Sequence, residues 1–187
     1  MHVPGRRLPA GTMLLAVADS LDQAAAALAE GADLIDLRGA AVHAVAEFRR
    51  TFPGVLVCCD AGEADLVRHP QSALAAGALL LCADPAAARA SGLPADRLVV
   101  EVGPGAVPAA AAAGWAALVD TDRAAQLADP EQTGPVVAGI VAIAALSCWL
   151  GAAVVATRHV RPVRRALDMT ASIRGTRPPA RAVRGLA

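Results

Sequence analysis

The chain has 187 residues, 56% of them hydrophobic, which is enough to bury one sizeable core and makes a single domain the expectation. Its formal net charge is zero, it has no lysine, and acids outnumber arginines 16 to 9 before Arg158, whereas eight of the 17 arginines lie at or beyond that residue. With two Trp, two Phe and no Tyr there is little to stack on bases, so no nucleic-acid partner is expected and the arginine-rich end reads as a solvated terminus.

In chain order, the first predicted element is a strand, Met13–Val17, with Asp19 or Ser20 capping a helix from Leu21 to Glu30. Gly31 ends that alanine-rich helix, and Leu34-Ile35-Asp36-Leu37 has the apolar density of a strand covered on both faces. Helix Val42–Arg50 follows, then a third strand ending at Asp60 and a helix over Glu63–Arg68 and Gln71–Ala76, broken by Pro70. A fourth strand ends near Cys82-Ala83-Asp84, with a short helix to Ala90, and a fifth ends at Glu101, with a helix over Ala106–Ala113. The sixth ends at Asp120 and is followed by a poor helix, Asp122–Ala128, and a loop, Asp129–Gly134. A long apolar helix, Pro135–Leu150, leads to the seventh strand, Ala152–Thr157, and a last helix runs from about Pro162 to Ile173.

The helix-glycine-strand unit recurs at Gly31, Gly77, Gly114 and Gly151, and strands alternating with helices imply parallel pairing with right-handed crossovers. The expected fold is α/β, a TIM-like β/α barrel or near-barrel shortened to about seven units, because a full eight-unit barrel typically takes about 250 residues. The expected division is an extension over 1–11, the barrel over 12–173 and a basic flexible tail over 174–187.

Two segments imitate targeting signals. Arg6-Arg7 precede the apolar run Met13 to Ala18, but that run is short for a leader and flows into an amphipathic helix, so a cytoplasmic location is expected. Gly134 to Thr157 carries no charge over a length that can span a bilayer, yet Gly151 and Val154-Val155 repeat the helix-glycine-strand unit, so a buried helix and strand explain the same residues. A helix apolar on every side needs a cover, and a homo-dimer or hetero-oligomer through helix 135–150 is expected. Cys58 and Cys59 point to opposite faces of a strand, and Cys82 and Cys148 lack a ligand-spaced partner, so all four read as reduced, buried thiols.

In parallel α/β folds the active face lies at the C-terminal ends of the strands. The polar residues expected there are Asp19, Asp36, Arg38, Asp60, Asp84, Glu101, Asp120, Asp122, Arg123, Arg158 and His159. Of these, Asp36, Asp60, Glu101, Asp120, Arg123, Arg158 and His159 are the candidate ligand-binding residues, and Asp19 is the candidate metal ligand; no residue is assigned a catalytic role. Carboxylates with a few arginines suit Mg²⁺, or a ligand with an amidine-like donor edge and a phosphate. The competing explanation is that acids at loop starts cap the helices that follow.

The ordered motifs resemble the dihydropteroate synthases of folate synthesis. Leu15-Ala16-Val17-Ala18-Asp19-Ser20-Leu21 is similar to that family's Asn-x-Thr-Pro-Asp-Ser-Phe, and Gly31-Ala32-Asp33-Leu34-Ile35-Asp36-Leu37-Arg38-Gly39 to its Gly-Ala-Asp-Ile-Ile-Asp-Val-Gly-Gly, without the Glu-Ser-Thr-Arg loop beyond. Cys58-Cys59-Asp60-Ala61 resembles Ser-Val-Asp-Thr, Gly77–Ala83 resembles Gly-Ala-x-x-x-Asn-Asp, and Val100–Gly105 resembles Leu-Asp-Pro-Gly-Ile-Gly. Asp120–Ala124 resembles Gly-x-Ser-Arg-Lys, and Ala156-Thr157-Arg158-His159-Val160 resembles Arg-x-His-Asp-Val. The family strand carrying Met-His, between those matched by Leu79–Leu81 and Leu98–Val100, has no counterpart in this alignment.

The resemblance implies a barrel that joins a pterin methyl diphosphate to p-aminobenzoate, expelling pyrophosphate with Mg²⁺ present. It also implies that pterin contacts fall on Asp60, Glu101, Cys82 and Ala124, and diphosphate contacts on Leu15, Ala156 and Arg158. Cys82 cannot supply an amide, Ala124 an ammonium, or Leu15 a polar contact. The expectation is therefore a catalytically inactive homologue acting through protein association. The alternatives are a divergent active barrel enzyme taking a pterin-like or other phosphorylated small molecule, and a membrane-tethered or unrelated binding role.

Overall fold

The structure, a computed structural model, describes residues 11–39, 42–60, 64–129 and 136–176. Eight parallel strands close into one barrel in chain order: β1 (Met13–Val17), β2 (Leu34–Asp36), β3 (Leu56–Cys58), β4 (Leu66–Val67), β5 (Leu79–Cys82), β6 (Leu98–Glu101), β7 (Ala116–Asp120) and β8 (Val154–Thr157). The barrel shuts where β1 lies against β8, Met13 opposite Val154 and Ala16 opposite Thr157. Helices α1 (Leu21–Ala29), α2 (Val42–Thr51), α3 (Pro70–Ala76), α4 (Pro85–Ala90), α5 (Val107–Ala112), α6 (Thr121–Ala128), α7 (Val137–Leu150) and α8 (Val160–Ile173) connect or follow the strands.

The β/α barrel is thus as expected, with one strand more than the seven read from the sequence. The extra strand is β4, which falls where a helix over Glu63–Arg68 was expected; Glu63 lies outside the described residues. Two residues carry no periodicity of their own, and β4 exists because Leu66 pairs with Cys58 on one side and Leu79 on the other. The extension 1–11 (save Gly11), most of the tail 174–187 and most of the loop after Asp129 also lie outside the described residues.

Alternation along the strands makes two cores. Inside the barrel sit Met13, Leu15, Leu34, Leu56, Cys58, Leu66, Leu79, Leu81, Val99, Leu118, Val154 and Ala156, a filled interior rather than a pore. Between sheet and helices sit the intervening residues, with Phe48, Ile140 and Leu167 among the largest side chains there.

Local chemistry fixes the helix starts next to the mouth. Ser20 Oγ accepts from Gln23 N to cap α1, Asp84 Oδ1 from Ala87 N to cap α4, and Asp120 Oδ1 from Arg123 N to cap α6. At the far end of α7, Gly151 adopts φ +94°, which lets the chain turn from helix into β8. Two buried or half-buried acids tie neighbouring strands at their starts. Asp33 Oδ2 accepts from Leu14 N at 2.8 Å and Arg164 Nη1 at 3.0 Å, and Asp65 Oδ2 accepts from Val57 N at 2.9 Å and Arg49 Nη2 at 2.7 Å.

Helix α7 has no charged residue. It buries Ile140, Ala144, Ser147 and Cys148 but leaves Val137, Leu146 and Trp149 exposed, the last at 54%. Helix α8, packed along it, exposes Met169 and Ile173, and the neighbouring α6 exposes Leu127. No described helix is long and apolar enough to cross a membrane.

Candidate functional site

The C-terminal ends of the strands gather the expected residues at one mouth. Asp36, Glu101 and Asp120 close β2, β6 and β7, Asp60 lies two residues beyond β3, and Arg158 and His159 follow β8. They do not stand free. Asp36 is 0% exposed, and its Oδ2 accepts from Arg38 Nη2 at 3.0 Å and Arg68 Nη2 at 2.6 Å. Arg68 also donates from Nη1 to Asp60 Oδ1 at 3.0 Å, and Arg123 from Nη1 to Glu101 Oε1 at 2.9 Å.

Across the closing seam, Arg158 grips Asp19 with two bonds, Nη1 to Oδ2 at 2.6 Å and Nη2 to Oδ1 at 3.1 Å. This pairing holds the Asp19 carboxyl below the ordinary carboxylate range and raises Arg158 in turn. The Arg158 backbone N–H donates to Asp122 Oδ2 at 2.7 Å, and Thr157 Oγ1 donates to Asp122 Oδ1, so Asp122 fastens α6 to the end of β8. Asp120 serves as the α6 cap, and His159 begins α8 with its backbone N–H on Thr157 Oγ1.

Both oxygens of Asp19, the candidate metal ligand, are therefore engaged by a cation. Among the described residues, no three His, Cys, Asp or Glu side chains are grouped to hold a metal ion. To serve Mg²⁺, Asp19 would have to loosen its pair with Arg158.

A cleft of about 440 Å³ opens in the mouth, its polar walls made by Arg38, Arg68, Asp60 and Glu101 and its apolar walls by residues such as Leu80 and Leu81. A shallower hollow of about 190 Å³ adjoins it at Glu101 and is walled by Asp120, Arg123 and Ala124. Cys82 lines the larger cleft, and burial, with Asp84 nearby, pushes its thiol up; burial also pushes up the Cys58 thiol, below the mouth, with Asp36 as the second cause.

The strand order differs from the expected one in one place: the segment ending at Cys82, expected as the fourth strand, is β5. The fourth strand is Leu66–Val67, and the residue leaving it is Arg68. Arg68 was missed because it fell in an expected helix; the signal was present in Ala64-Asp65-Leu66-Val67, which repeats Ala32-Asp33-Leu34-Ile35 at the start of β2. Of the positions matched to diphosphate contacts, Leu15 and Ala156 are sealed in the barrel interior, leaving Arg158 at the mouth.

No protein-family model and no curated protein matches the chain. Solved structures do. Rv1207 of Mycobacterium tuberculosis superimposes with a TM-score of 0.73 at 22% identity, covering 96% of this chain and 100% of that one. A Yersinia pestis dihydropteroate synthase carrying a pterine-sulfa conjugate gives a TM-score of 0.75 at 16% identity, over 94% and 99% of the two chains. A Coxiella burnetii dihydropteroate synthase in complex with pteroic acid gives 0.71 at 13% identity, over 91% and 96%. The closed eight-strand barrel and these superpositions establish that the chain has the β/α-barrel fold of the dihydropteroate synthases.

Proposed function

We propose that this protein is a dihydropteroate-synthase-like barrel that makes no dihydropteroate and acts in the cytoplasm through association, a second copy of the chain docking on α7. The observation carrying the first half is the state of the mouth's cations: the guanidiniums of Arg38, Arg68, Arg123 and Arg158 are each bonded to a carboxylate of the same chain. Expelling an anionic diphosphate calls for unspent positive charge aimed at the leaving group, and each arginine here would have to abandon a carboxylate to provide it. The alanine at position 124 and the buried Leu15 and Ala156 remove further donors from that task.

Support for the second half comes from α7, which carries no charge yet leaves Leu146 and Trp149 exposed, and from α8, packed along it, which leaves Met169 and Ile173 exposed. Two-fold association lets the same face serve as both halves of the interface. The test of the inactive mouth is a thermal shift with a pterin methyl diphosphate, with and without Mg²⁺. The reading predicts no Mg²⁺-dependent stabilisation at ligand concentrations that saturate an active synthase; a rise in Tm that requires Mg²⁺ contradicts it.

A further inference from the structure

The acidic corner of the large cleft is filled by a side chain of its own wall. Arg68 leaves β4 and sends its two terminal nitrogens to two different carboxylates, Nη2 to Asp36 Oδ2 at 2.6 Å and Nη1 to Asp60 Oδ1 at 3.0 Å. A guanidinium is planar and carries two NH₂ groups on one carbon, so it presents the N–C–N donor edge that an amidine or a 2-amino heterocycle also presents.

The surroundings give that edge a reason to stay. Asp36 is fully buried, its Oδ1 has no hydrogen-bond partner, and its Oδ2 is shared by Arg38 and Arg68, so without Arg68 a buried carboxylate depends on Arg38 alone. An unpaired buried charge is strongly unfavourable, and a tethered donor acts at an effective concentration of roughly millimolar or more, which a free ligand must exceed to displace it. Arg68 itself is only 25% exposed, so its head group lies within the wall instead of extending into solvent.

We propose that Arg68 is a built-in occupant of the cleft, holding with its guanidinium edge the place of a planar donor-edged ligand between Asp36 and Asp60, and that removing it opens a site for guanidine- and amidine-type small molecules. The proposal stands on the geometry of the mouth and does not depend on whether the protein associates or turns over a substrate.

The test is chemical rescue. Arg68→Ala is titrated with ethylguanidinium, which copies the missing head group, and with ethylammonium, which has the charge without the fork, at fixed ionic strength, reading Tm and calorimetric binding. Arg68→Ala should bind ethylguanidinium roughly tenfold or more tightly than ethylammonium and gain Tm on binding it, whereas wild type should respond to neither. Adding Asp60→Asn to Arg68→Ala should remove most of that preference. Arg68→Asn, which keeps a neutral donor beside Asp36, decides the matter by the same preference if the alanine variant does not fold. Wild type binding ethylguanidinium as tightly as the variants, or folded variants that bind both cations equally, would overturn the proposal.

Discussion

Replacing Leu146 by arginine puts a charge into the part of α7 that faces away from the barrel, and it separates association from folding. Leu146 is 49% exposed, so about half of its surface is open for the proposed second copy to cover. Full burial of a leucine contributes about 2 kcal/mol, so covering the remaining half is worth about 1 kcal/mol per copy, counted twice across a two-fold axis. Burying a guanidinium without a partner costs several kcal/mol more, and α7 has no acid to pair with it. The combined loss of about 5 kcal/mol or more corresponds to over 10³-fold in the dimer Kd, while the isolated monomer should change by only about 0.5 kcal/mol. Sedimentation velocity at micromolar concentration reads the first effect and urea denaturation the second. Ile140→Arg, at a fully buried position of the same helix, should instead unfold the chain. A wild-type chain that sediments as a monomer, or a Leu146→Arg variant that remains dimeric, refutes the reasoning.

Two further predictions concern the barrel itself. Asp65→Ala removes the acceptor for Val57 N and the partner of Arg49, and urea denaturation should show a loss of about 3 kcal/mol with an unchanged m value; a loss below about 1 kcal/mol would mean that β4 is held in register by something else. All four cysteines are buried and the Cys58 and Cys82 thiols are pushed up, so the native protein should react slowly with a disulfide reagent at about pH 8, and raising the pH by one unit should accelerate Cys58 and Cys82 by a larger factor than an unfolded control, from a lower starting rate. The sign follows from the direction of the shift: a raised thiol holds less thiolate at a given pH than the unfolded chain does, and its thiolate is still rising about tenfold per pH unit where that of the unfolded chain, with a pKa of about 8.5, is levelling off. Fast labelling of Cys58 or Cys82 in the native state would contradict this.

The strands that the sequence announced are short runs dense in apolar residues, four of them following a glycine that ends a helix, as in Leu79–Cys82 and Val154–Thr157. Strand β4 escaped because Leu66 and Val67 stand between Asp65 and Arg68 with Pro70 close behind, too short a run to display alternation. Its identity comes from long-range pairing with β3 and β5, which no local pattern records. The acids of the mouth were legible because a strand end is a fixed place in a parallel barrel. Their partners were not: that Arg158 holds Asp19, 139 residues away, and that Arg68 bridges Asp36 and Asp60, depends on which strands become neighbours. The long uncharged stretch near residue 140 became a 14-residue helix and a strand, as the recurring glycine unit implied.

The central claim, that this barrel does not make dihydropteroate because its mouth spends its own cations, is tested most directly by pyrophosphate release from pterin methyl diphosphate and p-aminobenzoate in the presence of Mg²⁺. Loss of one well-placed electrostatic group costs about 10²–10³ in rate, so a mouth lacking several should give release indistinguishable from the protein-free reaction. The account predicts the same background rate for wild type and for Asp60→Ala. Release above background that disappears in Asp60→Ala would contradict it.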